Sequence, residues 1–292
     1  MTTVTPERRK TAWGSAGPVL VAWILLLFGA DLYAILLGTQ LPWFAALQAA
    51  VLLVIGGAFS FVPRLKPLRG FAIALAALDG GDFVRWMIES DFRWLSGAAQ
   101  PTRIFVDAVV AGIPALLMLA TAMSSSLTIR QVFLVPGNMR AFTSLPFLRS
   151  ARWTFVAPLI FLVTAMPLAG RLRILAVPGK MSSIGFFGVA FTVAFAAINA
   201  GFEEMRFRCV LLARAEGVVG RTHAIWLTAV LFGLAHWGPS NHPSGLIGAA
   251  MTGFLGWLLA TSILDTRGGG WAWLIHLGDD VIIFLSLLAY GQ

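Results

Sequence analysis

Two adjacent carboxylates, Glu203 and Glu204, stand in a stretch that otherwise reads as membrane helix, SIGFFGVAFTVAFAAINAGFEEMRFRCVLLA from 183 to 213. An ionised side chain at membrane depth costs a few kcal/mol or more, so it usually faces a protein interior and serves a function. On a helix, Arg208 lies about one turn from both glutamates, with Glu204 and Arg208 spaced i, i+4. One carboxylate can therefore be paired while the other stays available. Taken alone, a Glu-Glu pair near a helix end is an ordinary interfacial charge cluster, so its meaning depends on what else the chain carries.

Two further groups supply company. In FGLAH, Phe232 and His236 lie one turn apart on a helix that is apolar almost throughout, and Trp237-Gly238-Pro239 marks where that helix ends. In WAWLIHLGDDVIIFLSLLAY, His276 and Asp280 share a face at i, i+4, and an imidazole and two carboxylates interrupt a span that is apolar on both sides. Burying those groups without partners would be costly. Three sites on three helices, all in the last third of the chain, are most simply explained by convergence in one polar cavity.

These residue types suit two chemistries. A glutamate and a histidine can share a water, the carboxylate taking its proton while donors on other helices stabilise the oxyanion formed at a peptide carbonyl. Two histidines and one carboxylate, His236, His276 and Glu203, could instead hold a catalytic Zn2+ with one open position for water. Spacing along the chain does not separate the two. Other intramembrane chemistries fail at required residues. There is no His-Glu-x-x-His motif, and four histidines are too few for a His-rich di-iron oxygenase. A Gly-x-Gly-Asp site meets His276 at its first glycine, and a Gly-x-Ser-Gly site meets His242 at its first glycine.

Together the three motifs resemble the CAAX protease and bacteriocin-processing family, also called the Abi or type II CAAX prenyl endopeptidase family of intramembrane proteases. Its pattern is Glu-Glu-x-x-x-Arg, then Phe-x-x-x-His, then His-x-x-x-Asn or Asp on successive membrane helices. Glu203, Glu204 and Arg208 match the first, Phe232 and His236 the second, His276 and Asp280 the third. The resemblance covers roughly residues 180 to 290. It implies a bundle of about eight membrane helices around a polar cavity, with Glu203 as the base that activates water together with His236. Glu204 and Arg208 would then help to set the site, and His276 and Asp280 would orient substrate or stabilise the oxyanion. Members are described both as zinc enzymes and as metal-free glutamate enzymes, so the resemblance leaves the cofactor open between Zn2+ and none. Asp280 stands where eukaryotic members commonly carry Asn, and a carboxylate beside His276 suits an orienting partner.

Composition supplies the frame. Of 292 residues, 58% are hydrophobic and 12% charged, with a mean hydropathy of +0.83, values outside the soluble globular range. The run after Arg8, Arg9 and Lys10 is long enough to span and is followed by further spans, so it is read as a retained helix rather than a signal peptide. Spans are expected near 18–38, 42–62, 104–124, 153–170, 182–204, 224–237, 244–264 and 271–290, which makes an all-α polytopic bundle. The division is N-terminal membrane helices over 1–179 and a motif-bearing core over 180–292, integrated in one membrane domain. Residues 70–101 mix Trp86, Phe92 and Trp94 with Asp82, Arg85, Glu89, Asp91 and Arg93, which suits a helix lying in the interface, and 126–152 is read likewise.

The net charge of +8 sits in short basic clusters beside apolar spans, Arg64, Lys66 and Arg69, then Arg171, Arg173 and Lys180, which points to anionic lipid headgroups and not to nucleic acid. Orientation gives a split vote. An inside N-terminus puts Arg171, Arg173 and Lys180 inside and leaves Arg130, Arg140, Arg149 and Arg152 outside. One cysteine, Cys209, excludes an internal disulfide and a thiolate cluster. Asp31 is read as an interhelical hydrogen-bonding group, Asp107 as a helix-end residue, and His223 and His242 as solvated loop residues. The run Gly245, Gly248, Ala249, Thr252, Gly253 and Gly256 reads as a packing seam, and tryptophans near span ends as an interfacial belt.

The function expected is an intramembrane endopeptidase in a cell membrane, a bacterial plasma membrane by chain size, cutting a membrane-associated protein or peptide. A non-catalytic immunity factor or scaffold of the same fold is the alternative. A transporter with a proton relay would call for two related halves with broken helices, and no such repeat is visible.

Overall fold

Apolar runs of this length fold as helix in a bilayer because no water is present to satisfy the backbone, and a helix satisfies it internally. A computed structural model describes residues 16–30, 32, 35, 43–91, 100–146, 148–171, 185–238 and 244–290. Regular structure among them is helical: α1 (Ala16–Gly29), α2 (Trp43–Ala58), α3 (Arg69–Asp91), α4 (Gln100–Ser124), α5 (Trp153–Arg171), α6 (Gly185–Glu204), α7 (Val210–Ala235), α8 (Gly245–Thr266) and α9 (Gly270–Tyr290). One turn of π-helix, Met205–Cys209, joins α6 to α7. Asp31, Phe92, Trp94, Arg173, Lys180 and His242 lie outside the described residues.

Among the described residues, six stretches are long and apolar enough to cross a membrane. This is a polytopic helical membrane protein. One of the six, Gly185–Ala235, runs through 51 residues and contains two of the expected spans. At about 1.5 Å per residue that is far longer than a bilayer is thick. Gly220 divides it, with φ 80° and ψ 161° inside α7, a backbone conformation open to glycine and strained for other residues. The shorter α1, at 14 residues, accounts for the described part of the first expected span.

The segment read as interfacial corrects the sequence view. Phe71, Ala72, Ala74 and Leu75 of α3 are fully buried, so the first half of α3 is a packed bundle helix between α2 and α4. Its polar residues had hidden it: Asp79 is buried, and Asp82 pairs with Arg206 at 2.5 Å. Close approaches fix the directions. A Cβ at Gly56 would meet Ile73 at 3.2 Å, one at Gly80 would meet Ala49 at 3.6 Å, and one at Gly81 would meet the Pro114 Cα at 2.4 Å. At the start of α3, Gly70 lies against Arg214, whose Nη2–H donates to Thr121 O near the end of α4, so α2, α3 and α4 alternate in direction and the ends of α2 and α4 lie at the same end of the bundle.

Residues 126–152 are also not the expected helix. Their described part is a chain of turns with an isolated bridge between Phe142 and Arg152. It is laced to the junction of α8 and α9 by Asn138 N–H donating to Thr266 O at 2.7 Å and Gly269 N–H donating to Phe133 O at 2.8 Å. The buried Trp153 donates its Nε1–H to Asp265 at 3.0 Å.

The helices that carry the motifs pack in two pairs. Along α6 and α9, Phe195 meets Phe284 edge-on at 4.6 Å and Trp273 donates to Ala197 O at 2.9 Å, an antiparallel arrangement. Between α7 and α8 the small-residue seam does the packing expected of it. A Cβ at Gly233 would lie 2.4 Å from Ala249 O, and one at Gly256 would lie 3.1 Å from the Phe232 ring.

The close approach of α3 and α4 makes a prediction. Gly81→Ala, which must push Pro114 backbone away, should destabilise the protein by about 1–3 kcal/mol. Gly57→Ala, with nothing within 4 Å, should not. Thermal unfolding in detergent compares them, and equal midpoints would contradict the packing of α3 described above.

Candidate functional site

Glu204 is the buried member of the glutamate pair. The turn of π-helix that follows it, in which backbone bonding widens to i→i+5, is a feature often found at functional sites. Across it Arg208 turns back on Glu204 with both nitrogens of its fork: Nε–H donates to Oε2 at 2.6 Å and Nη2–H donates to Oε1. Arg208 has no exposed surface and Glu204 is 3% exposed. A bidentate guanidinium–carboxylate pair is the arrangement best able to survive such burial. The other face of the guanidinium lies 4.1 Å over the ring of Phe232, a cation–π contact in a desolvated setting.

α9 delivers His276 to the same carboxylate. Its Nδ1 lies 2.8 Å from Glu204 Oε1. A carboxylate in this pair accepts only, so Nδ1–H is the donor and Nε2 points onward. There it faces Glu203 Oε2 at 3.4 Å and Asp280 Oδ1 at 3.7 Å. An imidazole nitrogen between two carboxylates needs a proton within the trio to hold them together, and a shared, movable proton is what acid–base work requires.

Glu203 differs from its neighbour in every respect. Its side chain keeps 26% exposure where Glu204 keeps 3%. Asn199, one turn earlier on α6, donates Nδ2–H to Glu203 Oε1 at 3.2 Å and to Asp280 Oδ2 at 3.0 Å. That single amide ties α6 to α9 and spaces the two carboxylates. Sequence reasoning missed it. The signal was present, a lone amide four residues before Glu203 in an apolar span.

His236 ends α7, with φ −103° and ψ 17°, at the helix end that Trp237-Gly238 marks. Its Nδ1 lies 2.8 Å from Phe232 O, an acceptor, so Nδ1 carries the proton and Nε2 is left as a base. The Phe232 ring is flanked by both imidazoles, His236 at 4.4 Å and His276 at 5.8 Å between centroids. The structure thus brings Glu203, Glu204, Arg208, His276 and Asp280 into direct contact, and His236 joins them through Phe232. The site is level with the middle of α4, where a Cβ at Gly112 would strike the ring of Phe202 at 2.5 Å.

A second carboxylate on α9 was also missed as a packing element. Buried Asp279 accepts from Thr164 Oγ1 of α5 at 3.0 Å. Of the remaining residues, Asp107 is an exposed residue early in α4. His223 is exposed, as expected, but lies on α7 and not in a loop, and accepts from Trp23 Nε1 at 3.3 Å. Among the described residues no three His, Cys, Asp or Glu side chains form a group that could hold a metal ion. Glu203, His236 and His276 do not form such a group in this arrangement, in which His276 Nε2 is turned between two carboxylates.

The bridging amide can be tested on stability alone. Asn199→Leu leaves the buried Asp280 and the partly exposed Glu203 without their shared donor and should lower stability by about 1–3 kcal/mol. Thermal unfolding of that variant beside His223→Ala, at an exposed position, measures it, and no difference between them would contradict the bridge.

Comparison with known proteins adds one match. No curated protein matches the chain, and neither does any solved structure. Residues 183–282 match the family model described as Type II CAAX prenyl endopeptidase Rce1-like, a segment that contains all three motifs, so the likeness carried by Glu203 to Asp280 holds over the helices that build the site.

Proposed function

We propose that this protein is an intramembrane endopeptidase that hydrolyses a peptide bond in a membrane-associated protein or peptide by water activated between Glu203 and His236. The observation that carries the reading is the asymmetry of the glutamate pair. Glu204 is spent on Arg208 and His276, whereas Glu203 stays partly exposed at 26% and keeps oxygen lone pairs for water. The family likeness over 183–282 supports the reaction class.

The steps follow from the groups in place. Glu203 removes a proton from a bound water, and the oxygen attacks the carbonyl carbon of the scissile bond. The C=O π electrons move onto oxygen to form a tetrahedral oxyanion. Collapse reforms the C=O bond, breaks the C–N bond, and passes the proton from Glu203 to the leaving amine. His236, with Nε2 free, holds the attacking water from the second side. Asp280 is an orienting group: a carboxylate would repel an oxyanion, and its contacts are with His276 and Asn199. His276, set by Glu204 at Nδ1, presents Nε2 beside Glu203 and is the polar donor nearest the reacting oxygen.

The test needs no known substrate. Newly formed N-termini in membrane proteins are compared between cells expressing the wild-type chain, Glu203→Gln and His236→Ala. General acid–base groups contribute about 10²–10⁴-fold, so termini produced by the wild type should fall by about 100-fold or more in each variant at unchanged protein level. Equal termini in wild type and Glu203→Gln would favour the non-catalytic scaffold instead. Cleavage by purified wild type should persist in excess chelator, and loss of activity there would establish an ion in place of the unassisted glutamate.

A further inference from the structure

The alternation of α2, α3 and α4 changes the charge map. Because α3 runs back between its neighbours, the α2–α3 loop (59–68) and the α4–α5 segment (125–152) leave the bundle at the same end. Arg214 of α7 pins them there. Its Nη2–H donates to Thr121 O at 3.3 Å and to Ser125 Oγ, and a Cβ at Gly70 would lie 3.0 Å from its guanidinium. The α8–α9 junction, hydrogen-bonded to Phe133 and Asn138, closes the same end.

The cations of this end are exposed: Arg64, Lys66 and Arg69 on the first loop, and Arg130, Arg140, Arg149 and Arg152 on the second segment. No Asp or Glu occurs in the sequence from 43 to 78 or from 108 to 202. The two carboxylates that do lie here are engaged elsewhere, Asp265 with Arg221 at 2.6 Å and Glu216 with Arg267 at 2.6 Å. Exposed apolar side chains stand beside the first loop, Phe61 at 87% and Val54 at 73%, as expected of a rim that enters lipid. At the other end the described charges are fewer and of both signs, with Arg85 paired to Glu89 at 2.6 Å, Asp91 nearby and Arg171 closing α5.

We propose that the end bearing Arg64, Lys66, Arg69, Arg130, Arg140, Arg149 and Arg152 rests on the anionic headgroups of the cytoplasmic leaflet, which fixes the orientation of the bundle. Short loops rich in Lys and Arg stay on the cytoplasmic side, and anionic lipid at that surface attracts them. Counting helices without α3 puts these two basic loops on opposite sides. With α3 included, both basic loops fall on one side. The inference does not rest on catalytic activity, since it uses no residue of the polar site.

Two exposed serines at opposite ends test it, Ser150 and Ser90. The native Cys209 is buried and gives little background. Ser150→Cys and Ser90→Cys in the full chain, expressed in a bacterial plasma membrane, are treated with a membrane-impermeant maleimide before and after permeabilisation, the latter setting full labelling. Expected is labelling of Ser90→Cys in intact cells and at least about ten-fold less of Ser150→Cys. Labelling of Ser150→Cys from outside, equal labelling of both, or protection of both in intact cells would overturn the orientation. Replacing all seven basic residues by Gln in each background should mix the two patterns, and an unchanged pattern would show that these charges do not set it.

Discussion

A guanidinium with no exposed surface must bring its counter-charge into the bundle with it, and Arg208 finds one a single turn away on Glu204. Removing two charges from water costs several kcal/mol per ion, and only close, bidentate, hydrogen-bonded pairing offsets it. That demand shapes its surroundings. His276 must come from α9 to use the remaining acceptor capacity of Glu204, and Phe232 must lie flat beneath the guanidinium. Three helices are thereby held in register by one ion pair.

The packing on the far side of Phe232 belongs to the same constraint. A ring can sit under Arg208 only if α8 leaves room for it, and Gly256 leaves that room, with a Cβ there only 3.1 Å from the ring. Gly233 lets α7 and α8 approach backbone to backbone, which sets where α7 stops and where His236 points. The small residues of α8 are remote from any chemistry, yet they decide the placement of an imidazole. Glu203 is what remains once these requirements are met: a carboxylate held by an amide and an imidazole with one side open.

How much of this was legible in the sequence depended on whether the partners lay on one helix. Glu204 with Arg208, Phe232 with His236 and His276 with Asp280 are all one turn apart, so periodicity alone put each pair on a common face. Asn199 reaches Asp280 across 81 positions, and Thr164 reaches Asp279 across 115, contacts that no local spacing encodes. The turn of π-helix at Met205–Cys209 left no mark in composition. α3 was misread for a physical reason: its carboxylates lower its hydropathy, yet Asp79 is buried in the bundle and the part-exposed Asp82 meets Arg206. Leaving α3 out of the helix count also put the 59–68 and 125–152 loops on opposite sides.

The account stands on the claim that adjacent glutamates have separate duties, Glu204 holding the bundle and Glu203 facing water. Thermal unfolding of purified Glu203→Ala and Glu204→Ala tests it directly. Glu204→Ala, which strands a buried guanidinium, should cost about 3–5 kcal/mol, and Glu203→Ala less than about 1 kcal/mol. Equal losses, or a larger loss at Glu203, would contradict the division of roles.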